Sequence, residues 1–92
     1  MEFEWDPGKS SLNQQKHGLS FEQAARLWMV PAVEIQARTV DEPRAMLIGK
    51  IQEKFYSCIF TRRGSVLRLI SARPSRKKEV MIYHEHIQKK EN

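Results

Sequence analysis

Two stretches of this chain, residues 55–61 (FYSCIFT) and 66–73 (VLRLISAR), are almost continuously apolar, and only Arg62-Arg63-Gly64-Ser65 separates them. Segments that do not alternate polar with apolar residues belong to strands covered on both faces. A short link containing glycine closes such a pair as a hairpin. The sequence therefore predicts a hairpin at the centre of a sheet, and the remaining elements have to cover it. With 92 residues there is room for one domain and one small core, so residues 1–92 read as a single domain with a frayed tail at 89–92.

The cover is legible upstream. Phe3-Glu4-Trp5 reads as a short first strand. Asp6 reads as the N-cap of a helix with Pro7 at its first position, running to His17 and stopped by Gly18. Ser20 and Gln23 form a capping box that opens a second helix, with Phe21, Ala24, Ala25 and Trp28 as its apolar stripe and Pro31 as its stop. Val33, Ile35 and Ala37 alternate with polar residues in a strand. After a turn over residues 39–43 comes a strand over 44–50, in which Gly49 marks a bulge or a close backbone approach. Pro74 ends the hairpin, and Ser75 is placed to cap a last helix over 76–88 with Val80, Tyr83 and Ile87 inward. Helices segregated from a run of strands give an α+β fold with the helices on one face of an antiparallel sheet.

Charge is uneven along the chain. Residues 1–46 hold five Lys/Arg and seven Asp/Glu (net −2), and residues 47–92 hold eleven and four (net +7), which together make the formal +5. A basic half on a small domain suits a polyanion, nucleic acid first, and equally suits a merely solvated surface. The one cysteine, Cys58, excludes an internal disulfide and a multi-cysteine zinc site, and it points to a reducing, cytoplasmic setting. No apolar run has the length of a membrane span and no secretory signal is recognised, so no membrane association is expected.

Several residues are candidates for chemistry. Lys9, Asn13, Lys16 and His17 share one face of the first helix, which is either a phosphate-binding wall or a solvated face. Arg68 interrupts an apolar strand and Arg73 ends it; in a regular strand, five residues apart, they point to opposite faces, and only twist or a bulge near Ser71-Ala72 lets them meet one ligand. Arg68 could instead pair with an acid such as Glu79. Arg76, Lys77 and Lys78 crowd the start of the last helix, where backbone N–H groups and cations would form an anion site. Arg62 and Arg63 at the hairpin tip would clamp a nucleic-acid backbone, and Tyr56 and Tyr83 are the aromatics suited to stacking or proton transfer. His84 and His86 are spaced wrongly for joint metal ligation on a helix, and neither a metal nor any other cofactor is called for. A basic set with histidine suits attack on RNA, which supplies its own 2′-OH nucleophile.

The combination Phe3-Glu4-Trp5-Asp6-Pro7, Lys9, Asn13, Lys16-His17-Gly18 and Phe21-Glu22 with Ala24-Ala25 resembles the opening signature of the BrnT family of type II toxins. Glu42, Arg44 and Ile48-Gly49 resemble its middle pattern, and residues 68–73 with Glu79 and Tyr83 its closing one. The resemblance implies a RelE-like fold and a metal-independent endoribonuclease that inhibits translation. It also implies neutralisation by a BrnA-type antitoxin with a ribbon-helix-helix part, with which the toxin represses its own promoter in a two-plus-two complex; promoter DNA would be met only through the antitoxin. In family terms Lys16, His17, Arg44, Arg68 and Arg73 carry over as functional. On this reading Arg73 meets the phosphate and the transition-state charge, Arg68 supports it, and Lys16 or His17 is base or acid. Lys9, Arg44, Arg62, Arg63, Arg76, Lys77 and Lys78 would bind RNA. The alternative is a non-catalytic nucleic-acid-binding or co-repressor module, or a degenerate toxin acting only by protein binding.

Overall fold

The computed structural model describes residues 1–38 and 41–91, so Thr39 and Val40 of the expected turn lie outside the described residues. The element order is β1 (Glu2–Glu4), α1 (Pro7–His17), α2 (Phe21–Ala24) continued by a 3-10 turn (Ala25–Met29), β2 (Ala32–Gln36), β3 (Ala45–Ile51), β4 (Lys54–Arg63), β5 (Val66–Pro74) and α3 (Lys77–Glu91). The five strands form one sheet in the order β1-β5-β4-β3-β2, and the fold is α+β as expected. β1 is parallel to β5, and every other neighbouring pair is antiparallel.

The helix boundaries follow the capping chemistry. Asp6 Oδ1 accepts from the Gly8 and Lys9 N–H groups at 2.8 and 3.2 Å. Gly18 takes the left-handed conformation at φ 72° and donates its N–H to Gln14 O. Both bonds of the Ser20–Gln23 capping box form. The second helix departs from expectation, because it tightens into the 3-10 turn after Ala24. At three residues per turn, Ala24 and Leu27 stack on one side, and both are fully buried. Trp28 is then half-buried and meets Phe3 and Phe60 edge-on at 5.2 and 4.9 Å.

The core cluster holds Leu19 from the α1–α2 link and Phe21, Ala24 and Leu27 from the helical segment after it, against Leu47, Cys58, Phe60, Leu67, Leu69 and Ala72 from the sheet. This defines a helical face. The expectation that every helix lies there fails, because α3 packs on the opposite face: Tyr83 meets Phe55 edge-on at 5.1 Å, and Phe55 is out of phase with Tyr56 and Cys58. On that face α3 lies over β2, β3 and Phe55 of β4, while α1 and α2 cover the other face of the hairpin. Gly49 marks a close approach rather than a bulge; a Cβ there would meet Leu27 Cδ2 at 3.0 Å and Ala32 Cβ at 3.3 Å.

Two other expectations shift. β4 runs through Arg63, so the hairpin turn is only Gly64-Ser65, with Gly64 at φ 61°. Ser75 does not cap α3, since its hydroxyl bonds Ser57 Oγ. The Arg76 N–H is instead satisfied by the Glu79 carboxylate at 2.9 Å, and α3 continues to Glu91, past the expected end at residue 88.

Candidate nucleic-acid interface

The side chains of a strand alternate between faces, and residues directly paired across a sheet share one. In β4, Thr61 pairs with Arg68 and Ser57 pairs with Arg73, and these two β4 residues are four apart in a regular strand. Arg68 and Arg73 therefore share a face although they are five apart. The register explains it: Ile59 pairs with Ser71 and Phe60 with Leu69, so Ile70 is an extra, unpaired residue. This bulge also spaces the inward residues as Leu67, Leu69 and Ala72, each buried.

The face opposite the core, next to α3, thus collects Arg63, Arg68 and Arg73. Arg44, just before β3, lines a concavity of about 410 Å³ together with Glu34 and Arg62, and its Nε is buried without a hydrogen-bond partner among the described residues. Three carboxylates stand among these guanidiniums. Arg73 is held by Glu79 in a two-pronged pair, both bonds 2.8 Å. The same carboxylate accepts from Ser57 Oγ at 2.8 Å and from the Arg76 N–H. Burial pushes the Glu79 pKa up, but the bonds from Arg73, the Arg76 N–H and Ser57 outweigh it and hold the carboxyl down at about 2. Arg73's own pKa is raised by its hydrogen bonds to Glu79. Arg68 faces Glu4 at 3.5 Å, and Arg63 faces Glu42 at 3.4 Å and Glu4 at 3.8 Å.

The other expected residues are distributed as follows. Arg62 is out of phase with Arg63 and lies on the helical side, where it forms a two-pronged pair with Glu34 at 2.6 and 2.9 Å and lies over the Phe60 ring. A concavity of about 630 Å³ opens beside that pair, and Arg44, Arg68 and Arg73 do not line it. Lys16 and His17 are exposed at the end of α1. Asn13, on the same side of α1, is buried rather than part of a polar binding face. Its side chain accepts from the Ala72 N–H at 3.2 Å and donates to Ala72 O at 2.7 Å and Leu19 O at 2.8 Å. β1 pairs only with residues 66–68, so Asn13 replaces the missing neighbour of β5 and seats the last turn of α1 beside the segment that ends in Arg73. Lys9 is exposed on the first turn of α1, and Arg76, Lys77 and Lys78 are exposed at the start of α3. There the Glu79 carboxylate already takes part of the expected anion site. Tyr83 packs on Phe55, while Tyr56 is half-buried against the core.

Sequence reasoning missed Glu4 and the Ser57–Ser75–Glu79 set. The signal for Glu4 was its alternation with Phe3 and Trp5, which sets it on the face those aromatics do not use. Glu79 stands in the closing pattern of the resemblance and as a possible partner for Arg68, but it pairs with Arg73, and Arg68 faces Glu4.

No helix among the described residues is long and apolar enough to cross a membrane. A comparison with curated proteins yields no match. Residues 5–79 match the family model described as ribonuclease toxin, BrnT, of type II toxin-antitoxin system. With most of the chain matched, and with Arg63, Arg68 and Arg73 of its central hairpin on one sheet face, the protein belongs to the BrnT family of ribonuclease toxins, whose systems pair toxin with antitoxin.

Proposed function

We propose that this chain is an active, metal-independent endoribonuclease of the cytoplasm whose cleavage of RNA inhibits translation. The observation that carries the reading is the β5 bulge, which sets Arg68 and Arg73 on one face together with Arg63. RNA needs three things for self-cleavage: a base at the 2′-OH, an acid at the leaving 5′-oxygen, and positive charge at the phosphorus. The 2′-oxygen bonds to phosphorus as its proton passes to the base, and the P–O5′ bond breaks as the acid protonates O5′. His17 and Lys16, seated beside the end of β5 through Asn13, are our candidates for base and acid. Arg73 is fixed in place by Glu79 and keeps its Nε–H for phosphate, with Arg68 beside it. Arg63 extends the track, with Lys77 and Lys78 at the mouth of α3. Arg62 falls outside this track because it faces the other way.

The same reading includes a BrnA-type antitoxin with a ribbon-helix-helix part, a two-plus-two complex, and promoter repression through the antitoxin. An antitoxin segment that covers the arginine face would exclude RNA by occupying its phosphate sites.

Induced expression in bacteria tests the activity. Wild type should arrest growth and degrade RNA, and Arg73→Ala matched for soluble protein should do neither. Purified wild type should cleave RNA equally with and without a chelator. Growth without RNA loss from folded wild-type protein would reject the reading, and abolition by the chelator would reject metal independence.

A further inference from the structure

The arginine–carboxylate contacts of the face that carries α3 are of two kinds. Arg73 and Glu79 are locked: their side chains are 22% and 11% exposed, and the carboxylate has further donors. Arg63, Arg68 and Glu4 are loose. One oxygen, Glu4 Oε1, faces Arg68 Nη1 at 3.5 Å and Arg63 Nη1 at 3.8 Å, both longer than a good hydrogen bond. The side chains of Arg68, Arg63 and Glu4 are 31%, 51% and 42% exposed. Glu42 also reaches Arg63, from the side of β3, at 3.4 Å. Glu4 ends a three-residue edge strand.

A single negative charge set between two guanidiniums, at distances that satisfy neither, stands where a phosphodiester would make better bonds. A phosphodiester carries the same charge as a carboxylate and offers non-bridging oxygens to both cations. The geometry points to a phosphodiester subsite between Arg63 and Arg68 that Glu4 occupies in the absence of nucleic acid, so that Glu4 sets how tightly the chain takes its ligand. This rests on the nucleic-acid reading above. It assigns Arg68 an exchangeable partner and leaves Arg73 with its own.

The test is binding of a fluorescent 2′-O-methyl oligonucleotide, which lacks the reactive hydroxyl, followed by anisotropy at low and high salt. Glu4→Gln should tighten binding roughly three- to tenfold at low salt, with the gain fading as salt rises. Glu2→Gln makes the same charge change on the same strand and should alter binding less than about twofold. In an Arg68→Ala background, Glu4→Gln should bring no gain. Unchanged or weaker binding by Glu4→Gln, an equal gain from Glu2→Gln, or a gain that survives without Arg68 would overturn the subsite. A second measurement needs no variant: the oligonucleotide should shift the Arg63 and Arg68 side-chain N–H signals of wild type in NMR, and unmoved signals at saturation would also overturn it. A folded wild type that binds no oligonucleotide sinks the nucleic-acid reading itself, whereas binding without any Glu4 effect sinks only the subsite.

Discussion

Asn13 makes three hydrogen bonds from a buried side chain, two of them to the backbone of β5 on the edge that β1 leaves unpaired at that point. Removing one side of a buried bond leaves the other unsatisfied, which is costlier than the net worth of the bond. Asn13→Ala should therefore lower stability by about 2–4 kcal/mol. Asn13→Asp should cost at least as much, because a carboxylate would face the Ala72 and Leu19 carbonyl oxygens; denaturant titration measures both, and a loss below about 1 kcal/mol would contradict the assignment. Glu79 makes a pH prediction. Its carboxyl lies at about 2 in the folded chain against an ordinary 4.5, so the stability it contributes is complete above the ordinary value and is lost as pH falls from there through about 2. Glu79→Gln should cost on the order of 3 kcal/mol at neutral pH. The gap to wild type should close as pH approaches 2, and a pH-independent gap would contradict the ion pair. Neither role was readable in sequence. An asparagine one helical turn from lysine and histidine looks like part of a polar face until a strand edge is known to lie under it.

At the scale of elements, sequence reading worked where local chemistry is decisive. The Asp6 cap, the Gly18 stop and the Ser20–Gln23 box are short-range devices, and all of them form. It failed where tertiary packing decides. The tightening after Ala24 answers to the burial of Leu27, and the reach of β4 through Arg63 answers to pairing with Val66. The β3–β4 turn carries a local conflict: Gln52 and Glu53 both adopt positive φ, 48° and 73°, without the Asn-Gly sequence that such a two-residue turn favours. Replacing them together, Gln52→Asn with Glu53→Gly, should raise stability by about 1 kcal/mol, offset slightly by the loss of the exposed 3.5 Å Lys50–Glu53 pair. A rise in thermal midpoint checks this, and a fall would mean that the present turn is better supported than its dihedrals indicate. The β5 bulge lies between these extremes. The sequence posed the question, since Arg68 and Arg73 could share a face only if the strand were irregular, but nothing local marks Ile70 as the extra residue.

At the scale of the molecule, the two layers of cover divide the labour. α1 and α2 bury the helical face and hold β5 by its edge through Asn13; α3 packs on the opposite face and brings Glu79 to Arg73. The α+β class followed from the order of elements, but the placement of α3 did not, because an amphipathic helix does not announce which face it will take. The same separation sorts the basic residues, sending Arg63 to the face that carries α3 and Arg62 to the Glu34 side. The measurement that bears most directly on the arginine face as the site of RNA cleavage is therefore a face comparison: cleavage of one defined RNA by purified wild type, Arg68→Ala and Arg62→Ala, each confirmed folded. Arg68→Ala should lose at least roughly a hundredfold in rate, and Arg62→Ala should stay within about threefold of wild type. Equal losses from the two variants, or a greater loss from Arg62→Ala, would contradict cleavage at the arginine face.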